Sequence, residues 1–329
     1  MKKLFLLLLL GFTLLGFSQN TLIPDPNFEQ ALIDLGYDTA PINGSVPTAN
    51  ISDVTSLDVS NNNIADLTGI EDFIALIDLS CYSNQLTSLD VSNNAALIYL
   101  ICFNNQLTSL DVSNNTALTF LSCNENQLTS LDVSNNTALT ELYCAFNQLT
   151  SLDVSANPAL TALTCYTNQL TSLDVSSNNA LTELYCFNNQ LTSLDVRNGN
   201  NISIGVFNAT NNPNLTCIFV DDTAYSTANW TGIDPASTFV NNEAECEALS
   251  LGDNAFELDV TIYPNPTDNY LFIEGNKNPI SISIYNLLGA EVIAKSNTDK
   301  INVSELSNEV YIIRISDGIG QTDRKFIKN

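Results

Sequence analysis

Six cysteines fall 21 residues apart, at Cys81, Cys102, Cys123, Cys144, Cys165 and Cys186. If each interval closes one turn of chain, six thiols stack in a column, which could exchange disulfides, bind metal or fill a core. Rungs of a parallel ladder stand about 4.8 Å apart, within disulfide range, but in-register side chains point the same way and suit the bond's torsions poorly. A straight column cannot surround a tetrahedral ion, and the chain has no histidine to assist. A buried apolar column is the expectation. A second column, Asp90, Asp111, Asp132, Asp153, Asp174 and Asp195, places carboxylates at the same period. It reads as a solvated face relieved by neighbouring Ser and Thr hydroxyls. A calcium-stabilised ladder is the alternative, although the loops lack the dense D-x-D-x-D spacing of chelating loops. A third column, Asn84, Asn105, Asn126, Asn147, Asn168 and Asn189, puts amides at a turn, where they can pair backbone groups left over by it. Without histidine the commonest general base is missing, and no nucleophile-elbow, phosphate-loop or zinc motif occurs. The chain is expected not to be an enzyme and to need no cofactor.

These columns must be positioned by a repeating coil. One period, Leu139 to Leu149, reads L-T-E-L-Y-C-A-F-N-Q-L. It resembles the leucine-rich-repeat family, whose spacing is L-x-x-L-x-L-x-x-N-x-L, with Cys144 in place of the third leucine. The spacing recurs with Leu79, Leu100, Leu121, Leu142, Leu163 and Leu184. Each period also carries a Leu-Asp-Val triplet, from 89–91 to 194–196, whose alternation is that of a strand. One coil is then strand, turn, strand, turn. The expected class is mostly β: a right-handed leucine-rich-repeat solenoid of 21-residue coils with a short N-terminal cap helix and a small C-terminal Ig-like β-sandwich.

Residues 1–18, with Lys2, Lys3 and an apolar run, read as a signal peptide. The N-terminal cap is placed at 19–50, where Asp25-Pro26 starts a helix with Phe28, Ala31, Leu32 and Leu35 at helical spacing. The solenoid is placed at 51–220. Its first ladder loosens to Ile204 and Val206 while its second steps from Leu194 and Val196 to Leu215 and Cys217. A C-terminal cap with Trp230 and Phe239 is placed at 221–246 and a polar linker at 247–256. From Gln19 to Phe256 there are 26 acidic residues and one basic residue, Arg197. Such a surface repels nucleic acid and anionic membrane, and past the leader no stretch can span a bilayer. Cys217 and Cys246 flank the cap outside the inner ladder, so in an exported protein they are expected to pair.

Residues 257–329 alternate in short strands. Tyr263-Pro264-Asn265-Pro266, the turn Ile284-Tyr285-Asn286-Leu287-Leu288-Gly289 and the terminal Lys325-Phe326-Ile327-Lys328 resemble the C-terminal sorting domain of the type IX secretion system of Bacteroidetes. The resemblance implies passage across the outer membrane by that machinery, to a secreted or surface location.

The template is nearly copied from coil to coil except beside the inward Leu and Cys of the first strand. The candidate ligand-binding residues are there: Tyr82, Tyr99, Phe103, Phe120, Glu141, Tyr143, Tyr166, Glu183, Tyr185 and Phe187. Aromatic rings on a strand face also stack for stability alone. The expected function is recognition of a protein or glycan on this first-strand (concave) face. The alternatives are a structural or adhesive spacer without a ligand and a calcium-stabilised surface adhesin.

Overall fold

The computed structural model describes residues 19–252, 260–274, 281–316 and 321–329; the leader at 1–18 and the linker residues 253–256 lie outside the described residues. The chain divides into two units, one ending at Asn242 and the other beginning at Glu243.

In the first unit three-residue strands stack in one parallel sheet, Ser56–Asp58, Asp78–Ser80, Tyr99–Ile101, Phe120–Ser122, Glu141–Tyr143, Ala162–Thr164, Glu183–Tyr185 and Val206–Asn208. Register runs without a slip through Leu57, Leu79, Leu100, Leu121, Leu142, Leu163, Leu184 and Phe207. Strands of three residues with both neighbours outward leave only the middle side chain for the interior, and the leucines there are at most 1% exposed. The six ladder cysteines are free and 0% exposed.

The second segment departs from expectation. It forms a regular sheet only at Ser172–Asp174, Ser193–Asp195, Cys217–Phe219 and Thr238–Val240. Among earlier coils a single bridge, Asp90 to Asp111, is present. A three-residue segment between two turns offers so few ladder donors that a small change in coil spacing removes the ladder. The last steps are also corrected. Leu184 pairs with Phe207, 23 residues on (207 − 184), and Leu194 with Ile218, 24 residues on (218 − 194). Phe207 and Ile218 therefore take the inward places, not Val206 or Cys217. The 3-10 turn Asn201–Ser203 lies where extra residues enter. The ladder does not fade near 220, since Phe239 pairs beside Ile218.

Two asparagine columns tie the coils together. Asn126 Nδ2 donates to the carbonyls of Cys102 and Cys123, each at 3.1 Å, and its Oδ1 accepts from Leu107 N–H at 3.0 Å. Asn94, Asn115, Asn136, Asn157 and Asn178 form another column, 0% exposed. Asn115 Nδ2 donates to the carbonyls of Val91 and Asn94, both at 2.9 Å, while the Oδ1 of all five meets no donor. The unmet group is an acceptor, which is tolerated better than an unmet N–H.

The helix Pro26–Asp34 closes the first end. Asp25 Oδ1 accepts from Asn27 and Phe28 N–H (2.8 and 3.2 Å), and its Oδ2 accepts from Ala65 and Asp66 N–H (2.7 and 3.0 Å), so one carboxylate both caps the helix and ties it to the first coil. Buried Glu29 accepts from Asn43 and Gly44 N–H at 2.6 and 2.7 Å. At the other end Trp230 stacks on Phe207 at 4.4 Å. Cys217 and Cys246, expected to pair, are both disulfide-bonded. A helix covers Glu243–Gly252, where a polar linker was expected from 247; its run of Glu, Ala and Leu favours helix.

The second unit has two antiparallel sheets. One is Thr261–Tyr263, Tyr270–Glu274 and Lys300–Asn302, and the other Glu291–Ser296, Ser281–Asn286, Val310–Ser316 and Gln321–Ile327. Alternate residues, among them Leu271, Ile284, Ile313 and Phe326, are fully buried, as a two-sheet core requires.

Candidate recognition face

Beside each buried leucine the first strand presents its flanking residues outward, and the residue after each ladder cysteine continues the face. The ten candidate residues gather there in two groups. In the first, Tyr82 and Phe103 stack in parallel, 4.5 Å between centroids and 6° between planes. Tyr99 lies 6.0 Å from Phe120, which lies 5.4 Å from Tyr143 at 41°. In the second, Tyr166 and Phe187 stack at 4.3 Å and 8°. Tyr185 is half-buried and Glu183 exposed two coils beyond Glu141 and Tyr143, with Ala162 and Thr164 in the strand between. Between the stacked pairs the column is interrupted by Asn124 and Ala145, and Asn124 Oδ1 accepts from Ala145 N–H at 2.7 Å.

The rings thus do contact one another, as stacking for stability requires, but they are not sealed. Tyr99 is 46% exposed, and Tyr82, Phe103, Phe120, Tyr143, Tyr166 and Phe187 are half-buried. Tyr143 donates its hydroxyl to Glu141 Oε2 at 2.6 Å. Burial first, and then the Glu141 carboxylate with Glu183 behind it, raise the Tyr143 phenol well above the usual range, so it stays a neutral donor.

Phe146 belongs to this face and is not among the ten. It is 46% exposed and meets Tyr166 edge-on at 5.2 Å. It occupies a turn position held at φ 51 to 54° in six successive coils, by Ser83, Asn104, Glu125, Phe146, Thr167 and Asn188. Left-handed backbone favours Gly or Asn, so a bulky apolar side chain here was the readable signal.

The opposite side is chemically monotonous. Asp90, Asp111, Asp132, Asp153 and Asp174 each accept from the N–H of the serine two residues on, for example Asp132 from Ser134 at 2.9 Å, and Asp195 accepts from Arg197 N–H at 3.0 Å. These serine bonds hold Asp90, Asp111, Asp132 and Asp153 below the usual carboxylate range. No group of three or more metal-ligating side chains occurs among the described residues. Burial pushes the Cys81, Cys123 and Cys186 thiols up to about 12 and raises those of Cys102, Cys144 and Cys165 as well. A neutral buried thiol is a poor nucleophile and ligand, so the column acts as core.

Residues 261–329 match the family model described as "Secretion system C-terminal sorting domain". The chain carries a type IX sorting domain. That domain marks it for a secreted or cell-surface location. No helix among the described residues is long and apolar enough to cross a membrane. For the repeats, Internalin J of Listeria monocytogenes serotype 4b (strain F2365) is 40% identical over 77 residues, covering 23% of this chain and 8% of that protein. Among solved structures, internalin C2 from Listeria monocytogenes str. 4b F2365 has 21% identity and a TM-score of 0.52, covering 68% of this chain and 98% of its own. The likeness shows a leucine-rich-repeat fold. The functional domain of InlJ from Listeria monocytogenes, described as including a cysteine ladder, has 22% identity and a TM-score of 0.36, covering 95% of this chain and 99% of that one.

Proposed function

We propose that this exported leucine-rich-repeat protein is a non-enzymatic binding protein whose first-strand face recognises a protein or glycan outside the cell. The observation that carries the reading is the contrast between the two sides of one scaffold. The core columns and the Ser-Leu-Asp-Val side repeat nearly unchanged, whereas the first-strand face changes from coil to coil and keeps its aromatic rings partly open. Core packing asks for repetition, and discrimination asks for difference. Half-open aromatic rings also offer large contact area with few rotors to freeze. The domain boundaries follow the same logic, with the repeats as cargo and residues 257–329 as the part addressed to the secretion machinery.

The test is a glycan array and a cell-surface pull-down with the full chain, followed by Tyr143→Ala and Tyr185→Ala. Each aromatic contact contributes about 2 kcal/mol at a hot spot, so affinity should fall at least about tenfold with the melting temperature nearly unchanged. A large fall in melting temperature would instead make stacking the reason for the rings. Unchanged affinity would move the site off this face.

A further inference from the structure

Where Asn124 and Ala145 interrupt the aromatic column, an open depression of ≈ 330 Å³ is lined by Phe103, Phe120, Ser122, Asn124, Glu125 and Tyr143. Its apolar walls are ring surfaces, with Phe120 and Tyr143 tilted at 41° to each other. Glu125 stands on the left-handed turn at φ 54°, and it is exposed. No described hydrogen bond or ion pair engages its carboxylate. Glu141 lies beside the depression, bonded to the Tyr143 hydroxyl. Rings and carboxylates are therefore concentrated at one place, and no basic side chain of the repeats is there. The single base of the region, Arg197, is engaged elsewhere: its guanidinium meets Asp195 Oδ2 at 2.6 Å and lies 4.8 Å over the Phe219 ring.

We propose that this depression receives an arginine side chain from an exposed basic segment of a partner protein. The inference rests on the reading of the first-strand face as a recognition surface and names its ligand chemistry. A guanidinium is flat, weakly hydrated and permanently charged, so it can lie against Phe120 or Tyr143 while its edge donates to Glu125. The Arg197, Asp195 and Phe219 cluster already realises that combination of carboxylate and ring within this chain. The volume lies near the lower end of the about 300–1,000 Å³ of small-ligand sites and suits one side chain better than a run of sugar rings. The surrounding acidity would speed the approach of a basic partner and disfavour an acidic one.

The experiment titrates the full chain with a short Gly-Ser peptide carrying spaced arginines, and with the same peptide carrying citrulline, its neutral isostere. The arginine peptide should bind and the citrulline peptide should not. Phe120→Leu removes a ring at constant charge, and Glu125→Gln removes the carboxylate at an exposed turn where folding is not at stake. Each should weaken the arginine peptide about three- to fivefold. Asp153→Asn, on the opposite side, removes the same formal charge and should change nothing. If Asp153→Asn weakens binding as much as Glu125→Gln, a general acidic field attracts the peptide and the site is overturned. If citrulline binds as well as arginine and Phe120→Leu weakens both, the face survives as a recognition surface and the cation assignment falls. If neither peptide binds, the arginine assignment falls, and the array and pull-down results stand apart from it.

Discussion

The ladder thiols show how a side chain's neighbours decide its chemistry. An isolated cysteine titrates near 9.0, whereas Cys81, Cys123 and Cys186 are held up to about 12 by burial. The sign of the linkage follows. A raised folded pKa stabilises the fold fully below 9.0, and that stabilisation is lost as pH climbs from there toward 12. Six thiols act together, so alkaline unfolding should set in above about pH 9, and Cys144→Ala should make the decline of melting temperature with pH shallower. An identical slope in the variant would show that the thiols are not responsible. Each cysteine was legible as inward because it keeps phase with leucine. The second asparagine column was not, because Ser-Asn-Asn reads as a turn, and Asn93 and Asn94 are alike until the backbone sends only Asn94 into the interior. Phe146 escaped for a related reason, since its turn position is filled by polar residues in every other repeat coil.

Among the elements, the ends of the solenoid hold the interactions that cannot be repeated. Asp25 bonds four N–H groups in two different elements. Asp25→Ala removes the cap and leaves Ala65 and Asp66 N–H without their acceptor, so it should cost about 3 kcal/mol, above the usual 0.5–2 kcal/mol of a lost helix cap. Chemical denaturation measures this, and a cost below about 1 kcal/mol would mean that water replaces the carboxylate. The cap helix could be read from Asp25-Pro26 and the apolar spacing behind it, but the second pair of bonds could not, because Ala65 and Asp66 are 40 and 41 residues away. The last coils were read out of phase for an equally local cause. Extra residues near Asn201–Ser203 break the count of 21 without breaking the ladder, because a turn can absorb residues that a strand cannot.

For the whole molecule, the repeats and the sorting domain differ in period, charge and sheet type. Each unit has its own buried cluster, one running from Ile23 to Phe239 and the other from Val260 to Phe326. Deleting residues 257–329 should therefore leave a folded solenoid that accumulates in the periplasm, as fractionation and circular dichroism would show. Normal amounts of the truncated chain at the cell surface would rule out a sorting role for these residues. The register of the sheet has one more implication. Since the buried leucine, cysteine and asparagine of each coil are interchangeable with those of the next, the interior cannot tell whether a coil has been skipped. Removing residues 107–127 would rejoin Gln106 to Leu128, restore the period, shorten the stack by one rung of about 4.8 Å and place Ala145 directly after Phe103. Coil number is thus a nearly neutral variable, open to duplication and loss in the gene, and what each such event rewrites is the order of chemical groups along the first-strand face.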